Sequence, residues 1–324
     1  MSHQETIRWQ VDAGEDRRLD VEVAAHLGES RNRVQRWIRD GHLLLEERVA
    51  LKPAESVSEG HWIECSPPRP EVCLDAITPE PGEVPLLWQD PALAIVDKPA
   101  GLAMHPGAGR DSGTLAHRLV AKFPEIAMVG HPRRPGIVHR LDIGTSGAVA
   151  VARTEAAYQG LSSAFAQREV RKTYLAIVYG EPTAGSGEIR TRIARDPRDR
   201  KRMAVSERAG REAVTIYRTL ASVNGLSLLE LDLETGRTHQ IRVHLKWLGH
   251  PLIGDPTYGE ARWKGLAGGA QRATRAFSRP ALHAWRLALA HPILNSRIEV
   301  AAPFSSDLAQ LWKMASGDAP PLPE

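Results

Sequence analysis

Six prolines crowd into SPPRPEVCLDAITPEPGEVP, between Cys65 and residue 85, and no other feature constrains the fold so tightly. Proline fixes φ and removes a backbone donor, so this run neither continues a helix nor joins the middle of a sheet. It reads as a semi-rigid linker over residues 66–85. The chain of 324 residues is thereby divided. Residues 1–16 read as an N-terminal tail, 17–65 as a small module, 86–316 as a large domain, and 317–324 (GDAPPLPE) as a disordered tail. The module is near the lower size limit for an independent core, whereas the domain can bury a sizeable one.

Within the module, RLDVEVAAHL has the apolar spacing of a helix. Ser30 can cap a second helix, RNRVQRWIRDG, in which Val34 and Ile38 share a face and Gly41 provides the stop. HLLLEERVALKP reads as two short strands. In the domain, LLWQDPALAIVDKPAG, KTYLAIVYG, EAVTIYRTL and LSLLELDLE are β-rich, with helices expected at 155–167 and 239–248. Strands and helices do not alternate regularly, so the fold class is α+β with a largely antiparallel sheet. Residues 259–279, rich in Gly, Ala and Arg, read as a surface loop.

With 42% apolar and 25% charged residues and no long uncharged apolar run, no segment is expected to span a bilayer. The start of the chain lacks an apolar secretory segment, and Cys65 and Cys73 make neither a disulfide framework nor a metal cage. A cytoplasmic location is the expectation. The net charge of +3 selects no partner, but its distribution does. Arg31, Arg33, Arg36 and Arg39 cluster in one helix, and RDPRDRKRMAVSERAGR (195–211) carries seven basic residues against three acids. Two such runs in different domains point to a polyanion, with a phosphate backbone the usual reason.

Several chemistries can be set aside. His239 and His244, five residues apart on a helix, lie about 140° around its axis and cannot share a metal. GTSGA (144–148) lacks the last glycine of a nucleophile elbow, and GRDSGT lacks the Lys-Ser/Thr ending of a phosphate loop. No metal or cofactor is expected. What remains is Asp142 in GIVHRLDIGTSGAVAVART, which in isolation reads as a turn-capping aspartate.

Three stretches taken together change that reading: His139-Arg140-Leu141-Asp142 with Thr145-Ser146-Gly147, then Lys172-x-Tyr174, then Gly236-Arg237-Thr238-His239-Gln240-Ile241-Arg242. In this order, with VDKPAGLAMHPG, RMAV and RPALHAWRLALAHP, they resemble the RluA/RluD-type RNA pseudouridine synthases, most closely the RluD branch. The early module resembles the S4 RNA-binding domain. S4 hairpins commonly turn at Asn-Gly, whereas Glu46-Glu47 stands here, so a different turn geometry is expected, with weaker phosphate contacts nearby.

The resemblance implies a pseudouridine synthase fold behind an S4-like domain, and a cofactor-free isomerase that detaches a uridine base at N1 and rejoins it through C5. It implies Asp142 as the essential carboxylate, attacking C1′ or removing a proton from C2′. Arg242 is implied as its charge partner, and Tyr174 as the ring that stacks on the target base. Arg140 is implied to hold the flipped nucleotide, since a stacked uridine is out of reach. Arg31, Arg33 and Arg36 are expected RNA contacts of a monomer acting on structured RNA. The RluD likeness implies 23S ribosomal RNA or the large ribosomal subunit, at the helix 69 stem-loop. Two other readings remain: an RNA-binding assembly factor without catalysis, and an RNA N-glycosidase that would release free uracil. One departure stands out, because the family often reads HRLDKDTSG where this chain has Ile143-Gly144.

Overall fold

The computed structural model describes residues 6–14, 16–29, 31–67, 77–107, 109–199 and 201–323, apart from the side chains of Asn32 and Arg33. It divides into two compact units, Met1–Leu74 and Asp75–Glu324. In the first, β1 (Ile7–Gln10) and β2 (Arg17–Arg18) precede α1 (Leu19–Leu27) and α2 (Arg31–Arg39). Then come β3 (Leu43–Leu45), β4 (Arg48–Val49), β5 (Ser56–Val57) and β6 (Trp62–Cys65). An antiparallel sheet of order β1-β6-β3-β4 and the two helices enclose Leu19, Val23, Val34, Ile38, Leu43 and Ile63. Gly28 ends α1 in the left-handed conformation, its N–H returning to Ala24 O.

Three expectations for this unit need correction or fall away. Ile7–Gln10 is not tail but an edge strand paired with β6, and Trp9 is buried and stacked on His26 at 4.2 Å. Four residues are too few for alternation to reveal a strand. The Glu46-Glu47 turn does not adopt another geometry: both residues have positive φ, 50° and 64°, the conformation Asn-Gly favours in a two-residue hairpin. Glu46 Oε1 accepts the Trp62 N–H at 2.6 Å, which helps hold the strained pair. Ser30, the expected cap of α2, lies outside the described residues.

In the second unit, β7 (Leu86–Gln89) and β8 (Leu93–Lys98) lead to α3 (Leu115–Lys122) and a small hairpin of β9 (Gly130–His131) and β10 (Arg134–Pro135). Next come β11 (Ser146–Ala152), α4 (Glu155–Gln167) and β12 (Arg171–Tyr179), then β13 (Ser186–Arg195), β14 (Met203–Val205), β15 (Arg211–Val223) and β16 (Leu226–Leu233). The chain continues through α5 (Gln240–Trp247), α6 (Gly268–Ala276), β17 (Leu282–Ala290), β18 (Arg297–Ala301) and α7 (Ser306–Ser316). Ten strands form one sheet of order β14-β13-β15-β16-β12-β17-β11-β8-β7, with β18 beside β17. Among the described residues only the β11·β17 pair of this sheet is parallel. The α+β, largely antiparallel expectation holds. Every residue of β11 is buried, which accounts for its unbroken apolar run.

The proline-rich run is only partly a linker. Residues 68–76 lie outside the described set, but Ile77 and Val84 are buried in the core of the second unit. Residues 259–279 are not simply a loop, because they include α6 and a short 3-10 turn, Arg262–Gly265. Ala270 and Ala273 bury the inner face of α6 in one cluster with Leu308, Leu311 and Trp312 of α7. Alanines and glycines hid that face from a search for large apolar residues.

Thr154 caps α4, its Oγ1 accepting the Ala157 N–H. The helix closes on Arg168 in the left-handed region (φ 65°), where glycine is usual and an L side chain costs about 1 kcal/mol.

Candidate active site

A cleft of about 470 Å³ is lined by the loop ahead of β11, the start of β12 and the N-terminal turn of α5. Asp142, Tyr174, Arg242 and Arg140 all line it.

His139 fixes the loop from behind. Its Nε2 accepts the Ala150 N–H of β11 at 2.9 Å, and its ring stacks on Phe165 at 4.4 Å. Burial holds its pKa down to about 3, so the imidazole is the neutral acceptor that this bond requires. The Thr145 N–H then donates to Asp142 O at 3.0 Å and closes a tight turn. Asp142 is thus the turn residue that its sequence suggests, while its side chain faces the cleft.

Arg242 reaches that carboxylate across the cleft. Its NH1 donates to Asp142 Oδ2 at 3.0 Å. The rest of its guanidinium is gripped by Asp255, Nε to Oδ2 at 2.7 Å and NH2 to Oδ1 at 2.9 Å. Asp255 is buried and also accepts the N–H groups of Thr257 and Tyr258. Burial works against the charge on Arg242, but Asp255 and Asp142 overcome it and hold the pKa above its ordinary value. Burial likewise opposes the charge on Asp255, and Arg242 keeps its pKa low. The result is a planar cation locked in one orientation, with NH1 turned to Asp142.

The turn into α5 is built by Gln240, although Thr238 beside it has the chemistry of a helix cap. Gln240 Oε1 accepts from Thr235 Oγ1 (2.7 Å) and the Arg237 N–H (3.0 Å), while its Nε2 donates to Val214 O and Thr215 Oγ1. The N-cap position is His239, with φ 57° and no capping bond from its side chain. That left-handed step frees its ring to lie with Nδ1 2.8 Å from Tyr258 Oη and Nε2 3.9 Å from Asp142 Oδ1. His244 instead sits between Thr215 and Thr191 in the core.

Tyr174 lies at a bulge in the β12·β17 register, between Thr173 and Tyr174. A bulge re-aims the side chain that follows it. Burial and the nearby Asp142 push the phenol pKa above its ordinary value, so the ring is a neutral apolar wall.

Sequence reasoning missed Asp255, His239 and Lys98. Lys98 is fully buried, its Nζ donating to Pro99 O and Leu102 O at 2.9 Å and reaching Ile143 O at 3.4 Å. Burial and Arg279 push its pKa down to about 7, against opposing pulls from Asp142 and Asp97. The DPTYG stretch was the available signal for Asp255, because an aspartate before Pro-Thr-Tyr can accept the next backbone N–H groups.

The RNA-contact arginines proposed for α2 belong to the first unit. Arg31 and Arg36 are exposed, and Arg31 NH2 donates to the buried Asp20 at 3.1 Å. The side chain of Arg33 lies outside the described residues.

Comparison with known proteins places this geometry in context. A family model described as RNA pseudouridylate synthase matches residues 92–247, and one described as S4 domain matches 17–63. The chain is 40% identical to "Ribosomal large subunit pseudouridine synthase D" of Xanthomonas campestris, over 95% of this chain and 92% of that protein. It is 39% identical to the Escherichia coli protein of the same name, over 93% and 91%. Among solved structures, "Human RNA Pseudouridylate Synthase Domain Containing 1" superposes with a TM-score of 0.56 at 28% identity, covering 72% of this chain and 90% of that one.

Proposed function

The chain belongs to the RNA pseudouridylate synthase family, and from that premise we propose that it isomerises uridine in large-subunit ribosomal RNA with Asp142 as its essential carboxylate. The observation that carries the assignment is the contact between Asp142 Oδ2 and Arg242 NH1, 3.0 Å, at the mouth of a cleft large enough for a base. In this reaction the N1–C1′ bond breaks, C1′ bonds to C5, and the proton leaving C5 is balanced by one gained at N1. Positive charge develops at C1′ as the glycosidic bond weakens, and an ionised carboxylate is its natural partner. Asp142 meets that charge either by bonding to C1′ or by taking the C2′ proton.

Arg242 keeps the carboxylate aimed, and Asp255 keeps Arg242 in place. Tyr174 offers a flat, neutral face against which the detached base can rotate without escaping. Arg140, exposed at the cleft, holds the flipped arrangement. The S4-like module supplies RNA contacts from Arg31, Arg33 and Arg36. The family names and the S4 match support ribosomal RNA as the partner and the bacterial cytoplasm as the location. Action as a monomer is part of this reading.

The test is to incubate the protein with 23S RNA from cells lacking it and to map pseudouridine chemically. New pseudouridine is expected with the wild type and none with Asp142→Asn, while RNA binding persists. Normal modification by the Asn variant would overturn the role of Asp142. Free uracil in the supernatant would instead identify an N-glycosidase.

A further inference from the structure

One end of the cleft carries cations that the reaction does not use. Arg168, Lys172, Arg211 and Arg237 line it together, and Glu234 is the acid among them. Arg237 is the best anchored, its Nε donating to Glu212 O at 2.9 Å. Among the described residues the side chains of Arg168 and Arg211 take part in no ion pair and no hydrogen bond, although both are exposed. These groups are close enough to repel one another. Besides burial, Arg211 and Arg168 depress the pKa of Arg237, and Arg168 depresses that of Lys172 while Glu234 opposes it.

The backbone at Arg168 is the second observation. Its N–H closes α4 on Ala164 O and Phe165 O in a left-handed conformation that glycine adopts without penalty. Attraction of a cation to a helix C-terminus does not explain an arginine at this particular residue. Any position in the last turn offers that attraction without backbone strain, and the last turn of α4 has no basic residue. A strained residue whose side chain enters a functional cleft is retained for what the side chain does there.

We propose that Arg168, Lys172, Arg211 and Arg237 form a subsite for backbone phosphates of the RNA strand that delivers its uridine to Asp142. The inference rests on the reading of the substrate as RNA. A flipped nucleotide leaves its flanking phosphates at the rim of the pocket, with charges that need a fixed partner. Guanidinium groups already held in mutual repulsion are relieved when a phosphodiester enters between them. Arg211 closes the basic run 195–211, so the subsite also gives part of that run a task.

The decisive variant is Arg168→Gly, because glycine fits the backbone and the variant should melt at or above the wild-type temperature. Affinity for a helix 69 stem-loop RNA is measured by fluorescence anisotropy across a salt series. We expect affinity weaker by on the order of tenfold and a log–log salt slope shallower by about 0.7 to 0.9, the signature of one lost phosphate contact. Arg168→Lys should keep the slope, and Arg211→Gln should reduce it. Wild-type affinity and slope in Arg168→Gly would overturn the subsite. Pseudouridine formation by the wild type on the same RNA is read separately. A wild type that binds with the steep slope but leaves uridine unchanged would refute the function and spare the subsite.

Discussion

Asp255→Asn is the sharpest probe of how this site works, because it alters charge while nearly preserving shape. Asp255 Oδ1 accepts three N–H groups, from Arg242 NH2, Thr257 and Tyr258, and an asparagine oxygen can keep all three. The change falls on Oδ2, which accepts Arg242 Nε at 2.7 Å and becomes an amide donor facing a donor. Arg242 then sits in a buried position with its better counter-charge removed. Breaking a buried ion pair on one side costs about 3–5 kcal/mol of stability. The second consequence is catalytic. The guanidinium must rotate away from the new amide, and its remaining contact, NH1 to Asp142, moves with it. Misplacement of about 1 Å costs on the order of 10²-fold in rate. The assay is release of tritium from RNA labelled at uridine C5, since that hydrogen leaves during isomerisation, with kcat measured at a temperature where circular dichroism shows the variant folded. A fall in kcat near a hundredfold with little change in RNA affinity is expected. A folded variant with kcat within threefold of wild type would refute the claim that Asp255 orients Arg242.

Two further outcomes concern the fold. Burial lowers the pKa of His244 and His283 to about 4 each, against about 6.5 unfolded, so the unfolded chain binds more protons between those values. The contribution of these two histidines should therefore be level above pH 6.5 and fall as the pH drops towards 4, each adding a slope approaching about 1.4 kcal/mol per pH unit; denaturant midpoints that do not change between pH 6.5 and 4.5 would contradict their burial. In the first unit, Glu47→Gly removes a side chain from a residue with φ 64° and should stabilise the hairpin by about 1 kcal/mol, read as a raised urea midpoint for that unit; a lowered midpoint would mean that Glu47 contributes more through Arg8, 3.9 Å away, than its backbone costs.

The parts of this molecule legible in the sequence share a physical character. Asp142, Tyr174 and Arg242 were named because three ordered stretches together resemble a known family, and the structure brings all three to one cleft. The antiparallel sheet was legible because β-rich segments follow one another without regularly alternating helices. What escaped depends on contacts between distant residues. Arg242 meets Asp142 across 100 positions of sequence, and no window includes both. Asp255 lies only 13 residues from Arg242, but its side chain is indistinguishable from a loop aspartate until burial is known. The start of α5 is hidden for a related reason. Thr238 has the right chemistry, but Gln240 makes four hydrogen bonds across the turn and leaves the cap position to a left-handed His239.

Ile143-Gly144, the departure inside the loop of Asp142, follows from the same long-range logic. The loop uses these two residues through their carbonyls. Ile143 O accepts the Gly101 N–H at 2.7 Å and lies 3.4 Å from Lys98 Nζ. Gly144 O accepts from Arg279 NH1 at 3.1 Å, and the same guanidinium is fastened to Asp307 at the start of α7 through Nε and NH2. The Ile143 side chain is exposed, so its identity matters little to the loop. At position 144 a side chain would be a hindrance, since its Cβ would lie 2.6 Å from Pro280 Cδ. The proline ring occupies the space that an aspartate there would need. The loop that presents Asp142 is therefore held by Lys98 and Arg279 acting on backbone atoms, and a second acid is not needed to shape it. A glycine two residues after Asp142 is tolerated because Pro280 and Arg279, more than 130 residues later in the chain, close the gap it leaves.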